Sequence, residues 1–442
     1  MSTAELTPDV APGNSGPAKA GLLSVINSRH GLRLIAAGTV LLVLLSITRL
    51  ITGADDLTSS GTMGTTLRLT VPILLAGLAG LWSERVGIVN IGIEGMMIFG
   101  TWFGAYGAWQ FGPWVGLLMG VGGGAIGGLI HAVATVRFNV DHVISGVAMN
   151  LLAVGGMRYL SELVFVGKKG GGISQSPPRK SAIPTFDVPF LAGGKLFGWK
   201  SPDMLGWIEN KHWFVISDLS GILRGFAFGM SWATLLALCM VPLTAWVLWR
   251  TRFGLRLRSS GEAPFAAESL GVKVNRVRYV GVIISGAFAG LGGAYLSVVS
   301  FSAYRQGQTA GRGFIGLATM IFGNWRPAGV LGGAMLFGFS DALKLRRDDS
   351  IPALFLFISF VAALFMVVSI YRKRLVPGIM AAAFGVLFLV TYLTVDKVPN
   401  SLTQATPYLV TLLVLATASQ HLRPPAYTGR PYRPGESHRV GQ

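Results

Sequence analysis

Residues 114–136 read WVGLLMGVGGGAIGGLIHAVATV, a run without a single charged side chain. About 20 consecutive apolar residues suffice for a helix to span the hydrocarbon core of a bilayer. Within this run Gly116, Gly120, Gly124 and Gly128 recur every fourth residue, a spacing typical of membrane helices whose backbones approach closely. The stretch therefore predicts a membrane-spanning helix that packs tightly against a neighbouring helix.

The composition of the whole chain agrees with this reading. Of 442 residues, 51% are hydrophobic and 13% are charged, whereas about a quarter of the residues of an ordinary soluble domain are charged. These figures exclude a disordered chain, a coiled coil and a nucleic-acid-binding domain, and they disfavour a soluble enzyme. The net charge of +18 is explained by Lys and Arg in cytoplasmic loops, close to anionic lipid of the bilayer.

Other apolar runs predict further spans. One long segment is interrupted at residues 323–327 (GNWRP), between apolar stretches at 314–322 and 328–343. The remaining predicted spans are 34–51, 67–82, 87–111, 143–166, 231–249, 279–301, 351–371, 377–395 and 407–419. The sequence therefore predicts an all-α polytopic membrane protein with about 10–12 transmembrane segments, including a broken or re-entrant pair.

The distribution of Lys and Arg predicts the orientation, because short basic loops stay on the cytoplasmic side. The loop 250–278 carries seven such residues, so we place it inside. Counting spans from it puts both termini in the cytoplasm and residues 167–230 outside. We expect a disordered cytoplasmic tail at 1–33, a membrane domain at 34–419 and a basic cytoplasmic tail at 420–442.

The segment 87–97, GIVNIGIEGMM, places a carboxylate at membrane depth. A charge there costs about 2.5–3.5 kcal/mol on insertion scales, so such residues usually face a cavity or a partner. If the segment is helical, Asn90 and Glu94 lie on one face. Two interpretations stay open: polar lining of a translocation path, or hydrogen bonds that support a neighbouring helix. The candidate path residues are Asn90, Glu94, Met97 and Asn150.

A short helix is predicted in the basic loop. Pro264 suits a first helical turn and Gly271 suits a C-terminal cap. The helix is only weakly amphipathic, which disfavours an interfacial helix lying on headgroups. We therefore expect a partner to dock on it. The candidate docking residues are Gly261, Glu262, Pro264, Ala266, Ala267 and Gly271.

The remaining sequence patterns predict helix packing, and several motifs of enzymes and nucleotide-binding proteins are missing from the sequence. Small-residue repeats predict helix packing through Gly120, Gly124, Gly286 and Gly290. Residues 122–127 match G-x-G-x-x-G, but this match lies inside a span and follows no strand, so it does not predict a dinucleotide site. No P-loop motif occurs, no pair of histidines has metal-ligand spacing, and Cys239 is the one cysteine.

Several of these segments together resemble the permease subunits of bacterial ABC importers of the ribose and branched-chain amino-acid class. They are 87–97, 141–145, 254–272, 311–318, 323–327 and 407–412. Residues 90–95, NIGIEG, are most similar to the nucleoside-importer branch. The resemblance covers about 67–350 and 400–435.

The resemblance implies a pore subunit in the bacterial plasma (inner) membrane that is not itself an enzyme. It implies that two permease subunits form the pore, often as a heterodimer. An ABC ATPase docks on the loop carrying residues 261–271, and an extracytoplasmic solute-binding lipoprotein delivers the solute, here nucleosides. ATP and Mg then belong to the ATPase, and no cofactor is expected in this chain.

The chain departs from that pattern at residues 351–396, which we interpret as an inserted pair of spans. Alternatives to a nucleoside ABC permease are an ABC permease for simple sugars or branched-chain amino acids and an ion-coupled secondary transporter. A secondary transporter usually needs several intramembrane acids or broken helices, and only Glu94 and Glu162 lie clearly within spans. A membrane-embedded enzyme would need clustered acids or histidines, which the sequence does not present.

Overall fold

The computed structural model describes residues 29–196, 199–345, 350–394 and 422–435. Helices dominate these residues, and the strands are only two residues long, which confirms the all-α membrane class. The helices are α1 Arg29–Thr52, α2 Ser60–Arg85, α3 Ile93–Gln110, α4 Pro113–Ala132, α5 His142–Phe165, α6 Met204–Glu209, α7 Ile216–Ala227, α8 Trp232–Arg250, α9 Arg252–Glu262, α10 Pro264–Ser269, α11 Val274–Ala294, α12 Arg312–Phe322, α13 Pro327–Lys344, α14 Ser350–Tyr371 and α15 Leu375–Thr394. Helices α4 and α11 continue as π-helical turns at Val133–Arg137 and Tyr295–Ser300.

Seven helices among the described residues are long and apolar enough to cross a membrane: α2, α4, α5, α8, α11, α14 and α15. Ala36–Thr52 of α1 and Arg312–Phe322 are shorter apolar helices. The predicted span 407–419 lies outside the described residues, as does most of the predicted tail 1–33. Helix α1 begins at Arg29, so the last five residues of that predicted tail are helical.

The predicted broken pair is confirmed. Helix α12 ends at Phe322 and α13 begins at Pro327, which occupies the first helical turn, where a missing N–H costs nothing. Asn324 and Trp325 between them have positive φ angles of 51° and 52°. The reversal therefore uses a backbone conformation that ends one helix sharply before the next begins.

The centre of the bundle is held by backbone contact between α4 and α11. A Cβ on Gly124 would overlap the carbonyl oxygen of Gly286, and one on Gly290 would overlap that of Gly120. Helix α3 joins them through Gly100, which lies against the backbone of Gly290. Helix α2 packs against α11, α12 and α13. Side chains at these glycines would force the helices apart.

One predicted span begins later than expected. The segment 87–111 becomes helical only at Ile93, because Gly87 has a φ of +91° and reverses the chain after α2. Asn90 therefore precedes the helix. The interpretation that Asn90 and Glu94 share a helical face is wrong.

The segment 167–230 contains two short antiparallel ladders and the helices α6 and α7. Strands Thr185–Phe186 and Met230–Ser231 form one ladder, and Lys195–Leu196 and Trp199–Lys200 form the other. In helix α7 the polar residues Ser217, Asp218 and Ser220 are buried, whereas the exposed residues are apolar. The exposed ones are Ile216, Leu219 and Leu223.

Ion pairs fasten this segment to the rest of the chain. Asp218 lies 3.1 Å from Arg49 of α1, and Arg224 lies 2.6 Å from Asp203 and 3.1 Å from Glu209. Burial opposes the charge of Arg224, but the hydrogen bonds that its guanidinium donates to Asp203 and Glu209 outweigh burial and raise the pKa of Arg224. Glu209 also accepts a hydrogen bond from the N–H of Ser60, at the start of α2.

Candidate functional site

Residues 86–92, which we call the glycine turn, connect α2 to α3 at the end of the bundle that carries residues 250–278. The Ser83 hydroxyl donates to the carbonyl of Ile88 at 2.7 Å, and the N–H of Ile88 donates to the carbonyl of Ser83 at 3.1 Å. These bonds close the turn on the last residues of α2. Side chains from other helices bond further backbone groups of the turn.

Two histidines hold the Val89 peptide of the glycine turn. Nδ1 of His142 accepts the Val89 N–H at 3.3 Å, and Nε2 of His131 lies 3.1 Å from the Val89 carbonyl oxygen. Because that oxygen only accepts, Nε2 carries the proton, and Nδ1 of His131 accepts from the Ser145 hydroxyl at 2.9 Å. Both histidines therefore support the backbone of the turn.

Two asparagines fix the remainder of the turn. The Asn150 side chain of α5 accepts the N–H of Gly95 at 2.7 Å and donates to the carbonyl of Ile91 at 3.2 Å. The amide of Asn90 donates to the Ser285 hydroxyl of α11 at 3.0 Å. The glycine turn is thus tied to α5 on one side and to α11 on the other.

Glu94 joins the beginnings of two helices. One carboxylate oxygen accepts the N–H of Gly311 at 2.9 Å and the other accepts that of Gly313 at 2.7 Å. The residue is 8% exposed and lies in the first turn of α3 while capping α12. Its negative charge is favourable there because both helix N-termini carry partial positive charge.

This meeting point lies deep in the bundle. Helix α12 has 11 residues, which span about 16 Å at 1.5 Å per residue, roughly half of the ~30 Å hydrocarbon core. It runs from Glu94 to the break at Asn324, at the end of the bundle that carries residues 250–278. Transporters commonly build solute sites where the N-termini of interrupted helices meet near the bilayer midplane.

Of the four candidate path residues, the structure brings Asn90, Glu94 and Asn150 together around the glycine turn. The side-chain oxygens of Glu94 and both ends of the Asn150 amide bond to backbone, which is the contact pattern of supporting residues. The Asn90 amide nitrogen contacts Ser285 and the sulfur of Met96, whereas its oxygen is buried without a hydrogen-bond partner among the described residues. Met97 is fully buried, and Gly293 of α11 packs against its backbone. Met97 therefore belongs to the packing between α3 and α11.

The predicted short helix is present as α10, with Pro264 in its first turn. Gly271 has a φ of +80° and its N–H donates to the carbonyl of Glu268 at 2.8 Å, which ends the helix. A second helix, α9, precedes it and is capped by the Thr251 hydroxyl, which accepts the N–H of Gly254 at 3.0 Å. We call residues 252–271 the platform.

The platform has an outward and an inward face. Ala266, Ser269 and Leu270 are exposed, Leu270 by 85%. Ala267 is only 3% exposed, because it packs with Val274 and Tyr432 in one hydrophobic cluster. Of the six candidate docking residues, Gly261, Pro264 and Ala267 are buried within this chain, whereas Glu262, Ala266 and Gly271 are exposed. Docking through these residues stays a prediction.

The platform lies directly against the glycine turn. A Cβ on Gly261 would overlap the carbonyl oxygen of Arg85 and lie 3.0 Å from the N–H nitrogen of Gly87. Arg85 lies 3.6 Å from Glu262 and donates to the carbonyl of Trp325 at 2.7 Å. The platform, the glycine turn and the helix break form one continuous contact.

The break is also tied to α2. The indole N–H of Trp325 donates to the Glu84 carboxylate at 2.6 Å. Sequence reasoning missed this pair, because neither residue belongs to a recognisable spacing. It also missed the two histidines as partners of Val89.

Part of the predicted basic tail is folded against the platform. Residues 424–432 read PPAYTGRPY, and Tyr432 is 3% exposed. Burial and the neighbouring Glu268 carboxylate raise the pKa of Tyr432 to about 12, so its ring stays neutral at physiological pH. In the sequence, the two tyrosines among prolines and a glycine were the feature that could have indicated an ordered segment here rather than a charged tail.

Within the described ranges, no three His, Cys, Asp or Glu side chains are grouped so that they could hold a metal ion.

Residues 62–369 match the family described as "Branched-chain amino acid transport system / permease component". The chain belongs to this family, which confirms the resemblance found in the sequence. It is therefore a multi-pass permease component of an ABC transport system in the plasma membrane.

Three relatives of the chain are permease proteins whose names specify a solute. The guanosine ABC transporter permease protein NupQ of Bacillus subtilis is 37% identical over 289 residues, which cover 63% of this chain and 80% of NupQ. The nucleoside ABC transporter permease protein NupC of Lactococcus lactis is 32% identical over 355 residues, covering 78% and 88%. A putative glucose ABC transporter permease, TsgC13 of Haloferax volcanii, is 34% identical over 294 residues, covering 66% and 79%. No solved structure matches the chain.

Proposed function

We propose that this chain is the nucleoside-conducting permease subunit of an ATP-driven importer. The observation that carries the proposal is its similarity to NupQ, whose name specifies guanosine. Simple sugars are the second candidate, favoured by the similarity to TsgC13.

Energy reaches the chain by contact with a partner ATPase, because the sequence holds no P-loop motif. The ATPase, which binds ATP and Mg, docks on the outward face of the platform. Ala266, Ser269 and Leu270 supply a surface of small side chains and one exposed leucine there, and an apolar side chain presented by a helix can enter a hydrophobic groove of another protein. Glu262 adds an exposed charge at the rim.

Movement of the platform is transmitted to the middle of the membrane through the glycine turn. The platform touches Gly87 through Gly261, and the turn continues directly into Glu94, which holds the N-terminus of α12. A displacement at the platform therefore moves the two helix starts that meet near the bilayer midplane. Asn90, Glu94 and Asn150 shape the wall of the translocation path, and Met97 backs it by packing.

The platform and both termini lie in the cytoplasm, and residues 167–230 face the extracytoplasmic solute-binding lipoprotein. The basic residues of 250–278 support this orientation. In a Cys239→Ser background, a membrane-impermeant thiol reagent should label Lys195→Cys in intact cells and should label Glu262→Cys only after permeabilisation. Both positions are exposed, so the reverse pattern contradicts the orientation.

A second permease subunit completes the pore. Helix α5 supports this pairing, since it is buried along one edge and exposes many large apolar side chains elsewhere. These include Ile144, Leu151, Leu152 and Leu163, which are 50–71% exposed. A pore wall shared with a related subunit would cover part of this face, and lipid would cover the rest.

Uptake of labelled guanosine by cells with and without this chain tests the substrate class. Deletion should abolish high-affinity uptake, and unlabelled nucleosides should compete with guanosine while glucose, ribose and leucine should not. Competition by glucose alone would favour the sugar alternative. A variant with Glu162→Gln, which alters an exposed acid, serves as the control for expression.

A further inference from the structure

We propose that residues 423–435 form a clasp that positions the platform against the glycine turn and the helix break. The inference rests on the proposed function, because the movement it conveys is that of a docked ATPase. It assigns a positioning role to a segment that the sequence presents as a basic tail. The clasp is defined by contacts with three elements that are far apart along the chain.

Backbone hydrogen bonds attach the clasp along its length. The N–H of Arg423 donates to the Asn324 side chain at 2.8 Å, at the helix break. The N–H of Tyr427 donates to the carbonyl of Gly261 at 2.9 Å, on the platform. The N–H of Gly429 donates to the carbonyl of Gly87 at 3.0 Å, in the glycine turn.

Two acidic side chains of the platform hold the clasp at further points. Glu262 accepts the N–H of Ala426 at 3.1 Å, and Glu268 accepts the N–H of Gly435 at 3.4 Å. These residues lie at the end of α9 and within α10. The clasp therefore spans both helices of the platform.

Aromatic contacts fix the clasp against the inward face of α10. The ring of Tyr432 lies 5.2 Å from that of Phe265, and the Arg278 guanidinium lies 5.2 Å from the Tyr432 ring centre. Tyr427 contacts the same two residues, at 5.8 Å and 5.9 Å. A guanidinium placed over neutral aromatic rings is attracted by their negative faces.

The clasp leaves the outward face of α10 open. Tyr432 covers Ala267, whereas Leu270 remains 85% exposed and Ala266 is exposed as well. A tail that blocked a partner would cover the exposed side. The clasp instead lies on the inward side of the platform and joins the platform to the glycine turn and the helix break.

This arrangement has a mechanical consequence. Without the clasp, α10 is linked to the glycine turn through its two neighbours: α9, whose Gly261 lies against Gly87, and α11, whose Arg278 lies beside Gly87. With the clasp, a displacement of α10 also acts directly on Gly87, which precedes α3, and on Asn324, which follows α12. Loss of the clasp should therefore uncouple ATP hydrolysis from uptake while leaving ATPase docking intact.

The test uses the complete importer reconstituted in proteoliposomes, with Tyr432→Ala, Tyr432→Phe and the exposed control Tyr371→Ala. Tyr371 is 88% exposed. Tyr432→Ala should bind the ATPase normally, but guanosine taken up per ATP hydrolysed should fall about tenfold, within the range of coupling losses seen for positioning residues. Tyr432→Phe and Tyr371→Ala should match wild type within about twofold.

Unchanged uptake per ATP in Tyr432→Ala overturns the proposal, and so does an increase, which would make the segment an inhibitor. If wild-type protein moves no nucleoside with ATP, the proposed function fails instead. A second measurement needs no substrate: in a Cys239→Ser background, Glu262→Cys and Ala426→Cys should be joined by a short bifunctional thiol reagent in native membranes.

The same cross-link distinguishes a clasp that stays in place during transport from a tail that must move away from the platform. Uptake by the cross-linked importer should stay within about twofold of that by the same double-cysteine protein before cross-linking. Absence of the cross-link, or loss of uptake that returns when a cleavable linker is cut, contradicts the clasp.

Discussion

The glycine-packed interface between α4 and α11 and the paired helices α14 and α15 are both contacts between apolar helices, yet they are built differently. At Gly124 and Gly290 the two backbones touch, and no room remains for a Cβ. A Cβ on Gly385 of α15 would lie 3.3 Å from the Cβ of Ala362 and 3.6 Å from the carbonyl oxygen of Ser359. The first interface depends on the absence of side chains, whereas the second is ordinary side-chain packing.

The surroundings of the two interfaces also differ. Helices α4 and α11 are bordered by α3 and supply His131 and Ser285 to the network around the glycine turn. Helix α14 packs against α15, α1 and the end of α13, and α15 exposes Leu375, Ile379 and Leu393 by 66–69%. The comparison teaches that substitutions near the glycine turn should affect transport, whereas substitutions in α15 should be tolerated.

Gly290→Ala should have the largest effect. Its Cβ would lie 2.7 Å from the Cα of Gly124 and overlap the carbonyl oxygen of Gly120, so α4 and α11 must separate. Overpacking of this kind typically costs about 1–3 kcal/mol and sometimes more. We expect the folded protein in membranes to fall severalfold and the midpoint of thermal unfolding in detergent to drop. An unfolding midpoint equal to that of the wild-type protein would contradict the difference between the two interfaces.

Glu94→Ala should come next, with strongly reduced uptake even when compared at equal membrane abundance. It removes two hydrogen bonds to a carboxylate, each worth about 1.5–3 kcal/mol, and leaves the buried N–H groups of Gly311 and Gly313 unpaired. Glu94→Gln should resemble Ala more than wild type, because its amide can accept only one of the two N–H groups and presents donors to the other. Guanosine uptake at equal membrane abundance measures both variants.

Equal uptake by wild type and Glu94→Gln would show that only one of the two bonds matters. Glu162→Gln, at an exposed acid, is the matched control and should retain full uptake.

Leu270→Asp should weaken ATPase binding without affecting folding. The side chain is 85% exposed, so the free subunit loses little, but a charge placed in a docked interface costs several kcal/mol. Co-purification of the ATPase should fall at least tenfold. Leu375→Asp, at an exposed leucine of α15, should bind the ATPase like wild type; equal loss in both variants would remove the distinction between the two regions.

Gly385→Ala should have the smallest effect. The new methyl group would lie 3.3 Å from the Cβ of Ala362, a tight contact that a shift of a few tenths of an ångström between α14 and α15 relieves. Alanine also favours a helix over glycine by up to about 1 kcal/mol. Thermal unfolding and uptake should therefore be unchanged or slightly improved. A loss comparable with that of Gly290→Ala would mean that the two interfaces are equivalent.

Local patterns predicted much of the fold. Apolar runs located most of the spans, and the GNWRP interruption located the break between α12 and α13, because glycine and proline act on their own neighbourhood. Pro264 and Gly271 likewise bounded α10. These features depend on residues a few positions apart.

Features that depend on distant partners were not predictable. Gly87 takes a positive φ where Arg278, Tyr427 and Gly261 surround it, so a helix pattern at 87–97 gave the wrong start. Ala267 reads as a surface residue until Tyr432 covers it. Glu94 was open between path lining and support, and only the position of α12 reveals what its carboxylate binds.

The central claim is that contact with an ATPase drives nucleoside movement through this chain. The most direct test is uptake of labelled guanosine by proteoliposomes that contain this chain, its ATPase, the second permease subunit and the binding lipoprotein, with ion gradients abolished by ionophores. Uptake should require hydrolysable ATP on the platform side and should not occur with a non-hydrolysable analogue. Uptake that proceeds without ATP and follows an imposed proton or sodium gradient would contradict the account.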